Sequence, residues 1–233
     1  MTNLKNFSIS ILFIFAFITF PIHFGYTLDF DDDRILSTWN NDPYLWVDFI
    51  FQASLSARID TKLNALSVIE VAYENRIDLF YTENAIFWFF QTMAFDDYVP
   101  LRKEAARYLG YLGTPDALRV LFRMGRIDSE SVVVQEVIRS LGLFTFEQDL
   151  SVEAIVHFAN RFNQENPAAN LLALAAIDSL YKIAQMDYSY IDRNAIQFIL
   201  SIDVDGRYVN AIKNRARHLI IYIHDQMRSQ QQQ

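Results

Sequence analysis

VPLRKEAARYLGYLGTPDALRVLFRMGRI, residues 99–127, reads as two short amphipathic helices joined by a tight turn. Pro100 suits a first helical turn, where its missing N–H would have had no partner. Leu101, Ala105, Leu109 and Leu112 then recur at helical spacing, with Arg102, Lys103, Glu104 and Arg107 between them. That is one apolar stripe and one solvated face. Gly113 can take the left-handed conformation that ends a helix. Thr114-Pro115-Asp116 starts the next one: Thr caps free N–H groups, Pro fits the first turn, and Asp favours the positive end of the dipole. Leu118, Leu121 and Phe122 supply a second stripe. Neither stripe can be buried within so small a pair, so neighbours must stack on it. Gly110 sits inside the first helix, where Gly costs about 1 kcal/mol relative to Ala. Either it lets another helix approach closely, or the helix frays after Leu109.

Weaker versions of the pair recur on both sides. First-helix segments LNALSVIE (63–70), KEAARYLG (103–110), QEVIRSLG (135–142) and LAAIDSLY (174–181) superpose, and KNRARHLI (213–220) continues the series. Second-helix segments superpose on Ala85, Ala117, Ala154 and Ala195, which lie 32, 37 and 41 residues apart. This spacing fits stacked helix pairs, with the length variation placed in loops.

The unit resembles the HEAT repeat. Leu101 to Ala106, Leu109-Gly110 and Leu112 to Leu118 look like its short HEAT-like, armadillo-type variant, closely over residues 99–124 and by pattern over about 60–225. The resemblance implies an all-α fold, a right-handed α–α superhelix (solenoid) of about four HEAT-like helix pairs with end caps. It also implies an interaction scaffold. Short HEAT-like repeats occur in lyases that attach bilin pigments as well, so an enzyme relative stays open.

Composition sets the outer bounds. The 233 residues are 52% hydrophobic and 15% aromatic with few Gly and Pro, which favours packed helices. A net charge of −8 gives nucleic acid no electrostatic support as a partner. With no cysteine there is no disulfide framework, thiolate metal site or cysteine nucleophile.

Residues 1–27 carry one charge, Lys5, an apolar run from Phe7 to Phe20 and a polar exit containing Pro21, Gly25 and Thr27. That layout is a signal peptide, or an N-terminal membrane anchor if it stays uncleaved, so contact with a membrane is expected only in the second case. Export without cysteine suits a bacterial periplasm or cell envelope, or secretion. Residues 28–59 read as an acidic lead-in (Leu28 to Arg34) and one capping helix opened by Asn41-Asp42-Pro43. The repeat array covers 60–226, and 227–233 is a Gln-rich tail, frayed over Gln230 to Gln233.

No catalytic, metal or cofactor-binding residues are expected. Glu153 and His157 lie one helical turn apart, but two groups without a third make neither a metal site nor an oriented base. His218 and His224 point to different sides of one helix. The leading expectation is a non-enzymatic scaffold that binds another protein. A structural subunit of an envelope assembly is the alternative, and a lyase-type enzyme follows after it.

The superposed second helices separate core columns from exposed ones. Ile86, Leu118, Ile155 and Ile196 form one core column; Phe89, Leu121, Phe158 and Ile199 form another. Between them, Phe87, Arg119, Val156 and Gln197 share a column of unfixed chemistry, and Gln91, Arg123 and Asn160 lie a turn further on. In HEAT arrays the second helices resemble the lining of the concave face, so these are the candidate partner-binding residues. Trp88 joins them, because ENAIFWFF (83–90) is apolar nearly all round and is either covered by the N-terminal cap or offered to a partner. Trp88 beside Arg119 and Arg123 would have the makeup of an interface hot spot.

Overall fold

The computed structural model describes residues 32–77, 83–161 and 166–231. The expected signal peptide or anchor at 1–27 and the start of the acidic lead-in lie outside these residues. Among the described residues the chain is all-helical, with no strand. Eleven α-helices follow one another: α1 Asp32–Asn41, α2 Pro43–Leu55, α3 Ile59–Glu74, α4 Glu83–Met93, α5 Val99–Leu112, α6 Pro115–Ile127, α7 Ser131–Leu141, α8 Gln148–Arg161, α9 Asn166–Asp187, α10 Arg193–Val204 and α11 Asn210–Gln231. A 3₁₀ turn, Tyr188–Tyr190, precedes α10.

The boundaries follow the capping chemistry. α5 ends at Gly113, whose φ of 59° is left-handed and whose N–H returns to the Leu109 carbonyl at 3.3 Å. The Thr114 hydroxyl then accepts from the Ala117 N–H at 3.2 Å and opens α6. Asp42 and Asp192 do the same for α2 and α10, accepting from Leu45 and Ala195 at 3.4 and 2.7 Å.

From α4 to α9 each helix packs against the next, and the chain also packs against the next helix but one. The even helices α2, α4, α6, α8 and α10 touch in series, and so do α5, α7, α9 and α11. The two core columns lie where these rows meet. Phe89, Leu121, Phe158 and Ile199 are all buried, and Ile86, Leu118 and Ile155 likewise; Ile196 is half-buried, nearer the end of the row.

Two equivalent junctions hold the middle of the odd row together. Gly110 is buried within α5, and a Cβ there would fall 2.6 Å from Ser140 Cβ and 3.0 Å from Ser140 Cα on α7. Gly142, just after α7, meets Ser179 of α9 in the same way, at 2.7 and 2.9 Å. Each serine hydroxyl donates to a carbonyl four residues before the glycine: Ser140 to Ala106 at 2.8 Å, Ser179 to Ile138 at 3.0 Å. The close-approach reading of Gly110 therefore holds, and α5 runs on to Leu112. At either end the pairing changes. Glu70 on α3 stands where the glycine would, opposite Tyr108, and Tyr181 on α9 meets Tyr222 at 5.1 Å. In the even row the corresponding gap is filled differently, by the Phe158 ring of α8 lying against Gly125 of α6.

A second repeated contact is ionic. Lys62 and Arg102 occupy the same position in α3 and α5 when the first helices are superposed. Lys62 pairs with Asp96 in the turn after α4, and Arg102 pairs with Asp128 after α6 at 2.7 and 3.2 Å. Asp128 is buried, and Arg161 of α8 donates to its carbonyl at 2.9 Å and to that of Gly125, closing the C-terminal end of α6.

Two expectations at the ends need correction. The lead-in is helical from Asp32: α1 precedes the expected capping helix and buries Ile35 and Trp39, with Trp39 stacked on Trp46 of α2 at 5.3 Å. The gain is aromatic burial that the aspartate-rich composition conceals. The Gln-rich tail is also helical as far as Gln231, because α11 continues without a breaker past Gln226.

The α3–α5 junction gives the fold a pH signature. Tyr108 stacks on Phe90 at 4.7 Å and lies 5.4 Å from Tyr73. Burial, helped by the Glu83 charge, pushes Tyr73 up to about 12; burial and the Glu70 charge also push Tyr108 up, against the opposing pull of Arg107. The folded state thus keeps these phenols neutral while the unfolded chain ionises them near pH ~10. Their contribution is full below about pH 10 and is lost as pH rises through the folded values. On the acid side, Arg207 and its own N–H hold Asp205 down to about 2. Burial raises Asp96, but Lys62, the Tyr98 N–H and Arg102 outweigh it and leave its carboxyl below the usual range. That contribution is present above about pH 4 and lost below it. The urea midpoint is expected to plateau between about pH 4 and 10 and to fall on both sides; a midpoint that stays flat into strong alkali would contradict the tyrosine assignment.

Candidate partner-binding cleft

α4 turns Ile86, Phe89, Phe90 and Met93 inward, all at most 1% exposed. This i, i+3, i+4, i+7 stripe leaves Phe87 and Gln91 one position round, at the edge of the core. α6 buries Ala117, Leu118, Leu121 and Met124 and turns Asp116, Arg119 and Arg123 outward. Between the two helices and the turn that follows α4 lies an open cleft of about 330 Å³. Phe87, Gln91, Phe95, Asp116, Arg119, Val120 and Arg123 line it.

Half-buried Phe87 and buried Val120 supply apolar surface. Arg119 pairs with Asp116 one turn earlier, both side chains more than half exposed, so the pair is weak and exchangeable. The Arg123 guanidinium lies over the Phe95 ring, 4.4 Å from its centroid, and the residue is exposed.

Of the eight residues expected at a binding face, the structure brings four together in this cleft: Phe87, Gln91, Arg119 and Arg123. Trp88 is on the adjoining shoulder and 56% exposed. Packing of α2 against α4 therefore leaves this side of α4 open. The aromatic partner of an arginine is Phe95 rather than Trp88. Half-buried Val156 and exposed Asn160 on α8 and exposed Gln197 on α10 share the column but do not line the cleft. Three lining residues were not anticipated. Phe95 continues the Phe87–Gln91 column by four residues, but it follows the helix in a turn. In the sequence Asp116 signals a helix start, and Val120 falls outside the Leu118, Leu121 and Phe122 stripe.

Outside the cleft, the acid–base inventory is sparse. His157 is exposed, with its ring 5.6 Å from Phe158, and among the described residues no three His, Asp or Glu side chains are grouped to hold a metal ion. No helix among them is long and apolar enough to cross a membrane. Comparison with protein-family models, with curated proteins and with solved structures gives no match.

Proposed function

We propose that the chain is an exported, non-enzymatic scaffold that binds another protein through the cleft between α4 and α6. The observation that carries this is the convergence in one open cleft of Phe87, Gln91, Arg119 and Arg123, the positions the repeats do not need. Half-buried aromatic surface rimmed by arginine is the makeup of interface hot spots. In this reading the helix pairs form a right-handed HEAT-like solenoid, the N-terminal segment directs export to the periplasm or envelope, and nucleic acid is not a partner. Contacts in series along two rows of helices support the solenoid.

The test is recovery of crosslinked partners from the compartment where the chain resides, followed by binding measurements with the purified pair. Loss of binding in a variant altered at Phe87, Arg119 and Arg123 is expected, and unchanged binding would remove the cleft from the account. The structural-subunit reading has one observation in its favour. Tyr44, Phe51 and Leu55 recur along one face of α2 and are 64%, 45% and 68% exposed. That apolar end face suits a contact within a larger assembly.

A further inference from the structure

Resting on that reading, we propose that what enters the cleft is a short acidic segment of the partner carrying an aromatic side chain, its carboxylates toward the Arg123 end. Arg119, Arg123 and Arg126 recur at i, i+4 and i+7 along α6, so they form one stripe, and all three are exposed. In a chain of net charge −8 this is a local reversal of sign. Among the described residues, only Arg119 of the three is in an ion pair, and that with its neighbour Asp116. The stripe therefore presents donors that the fold does not consume.

The cleft is also polar along its length. Arg123 stacks on Phe95 at the end where α4 finishes, and Arg126 lies one turn beyond. Toward the start of α4 come Phe87, then Glu83 a further turn back, both on the same face as Gln91. An entering chain thus meets the unpaired Arg123 and then Arg126 at one end, and away from it Phe87, Glu83 and the Arg119 that Asp116 already partly neutralises. The Arg123 guanidinium, placed over the Phe95 ring, offers forked donors suited to carboxylates. A second aromatic ring can settle on Phe87 beside exposed Trp88. A basic segment would meet the arginine stripe with like charge. A purely apolar one would leave those donors uncovered or desolvated without partners.

The test displays a random library of 12-residue peptides to the immobilised full chain and, in parallel, to Arg119→Gln/Arg123→Gln. An Arg126→Gln variant serves as a second, milder probe, and unchanged far-UV circular dichroism shows that both fold. Peptides retained by the wild type are expected to combine Asp or Glu clusters with Phe, Tyr or Trp. They should bind the double variant at least tenfold more weakly and lose affinity with added NaCl. Enrichment of neutral or basic sequences, or of peptides indifferent to the double variant, would overturn the acidic-segment assignment. Those outcomes leave protein binding at the cleft to be judged by the crosslinked partner. A partner whose binding ignores the cleft would defeat both.

Discussion

Replacing Gly110 with alanine is expected to destabilise the protein, although the same change in an exposed helix interior stabilises by about 1 kcal/mol. The reversal comes from α7. The new Cβ would fall 2.6 Å from Ser140 Cβ and 3.0 Å from Ser140 Cα, closer than side chains approach, and the nearest atoms are not the free end of a flexible chain. Turning the Ser140 hydroxyl does not move those atoms, so α7 must shift away, which strains the bond from that hydroxyl to the Ala106 carbonyl, a buried bond with a net worth of about 1 kcal/mol. Gly110→Val adds two further methyl groups beyond the alanine Cβ to the same gap, and about 1–3 kcal/mol of overpacking is expected. The measurement is the urea midpoint of each variant at constant m-value. In the double variant Gly110→Ala/Ser140→Gly the alanine should be tolerated better than in Gly110→Ala alone, because the atom it meets is gone. A midpoint that rises in Gly110→Ala would mean that α5 and α7 are not in close approach.

The second large effect is on binding. Phe87→Ala/Arg119→Ala/Arg123→Ala removes the apolar floor and two exposed guanidinium groups at once, and hot-spot truncations of this kind cost about 2–4 kcal/mol together. Partner affinity should fall roughly 30- to 1,000-fold, mostly through faster dissociation. Stability should change much less for the two arginines, since Arg119 is engaged only in an exposed pair and Arg123 only with the Phe95 ring. Arg119→Ala/Arg123→Ala without the Phe87 change therefore separates binding from folding. Surface plasmon resonance on the purified pair, with the thermal midpoint measured alongside, checks both.

Local grammar was readable in the chain wherever a single residue dictates backbone geometry. Pro100, Gly113, Thr114 and Pro115 mark the edges of α5 and α6 because a missing N–H, a left-handed φ and a capping hydroxyl act within one turn. Gly110 was ambiguous for the opposite reason. A glycine that frays a helix and one that admits a neighbour look alike until the neighbour, Ser140, is placed against it. Superposing RYLG, RSLG and DSLY held a hint, since the small residues at 140 and 179 recur in the register of the glycine-bearing helices.

The candidate binding face was half legible. Column positions pick out the outward face of each even helix, which selects Phe87, Gln91, Arg119 and Arg123 together with Val156, Asn160 and Gln197. Which columns meet depends on how far adjacent helices splay, a tertiary quantity that no single helix encodes. Between α6 and α8 the Phe158 ring fills the space at Gly125, whereas between α4 and α6 a cleft stays open. Phe95 escaped notice because it belongs to the turn, yet its ring sets the pose of Arg123.

The absence of cysteine from the sequence permits the most direct measurement of the central claim. A single cysteine at exposed Lys182 of α9, on the odd row, and one at Gln91, in the cleft, each give a unique attachment point for a photoreactive maleimide. Illumination in the presence of the recovered partner is expected to join it to the chain from Gln91→Cys and not from Lys182→Cys. Crosslinking from Lys182→Cys with none from Gln91→Cys would place the partner on the other row of helices and contradict the account.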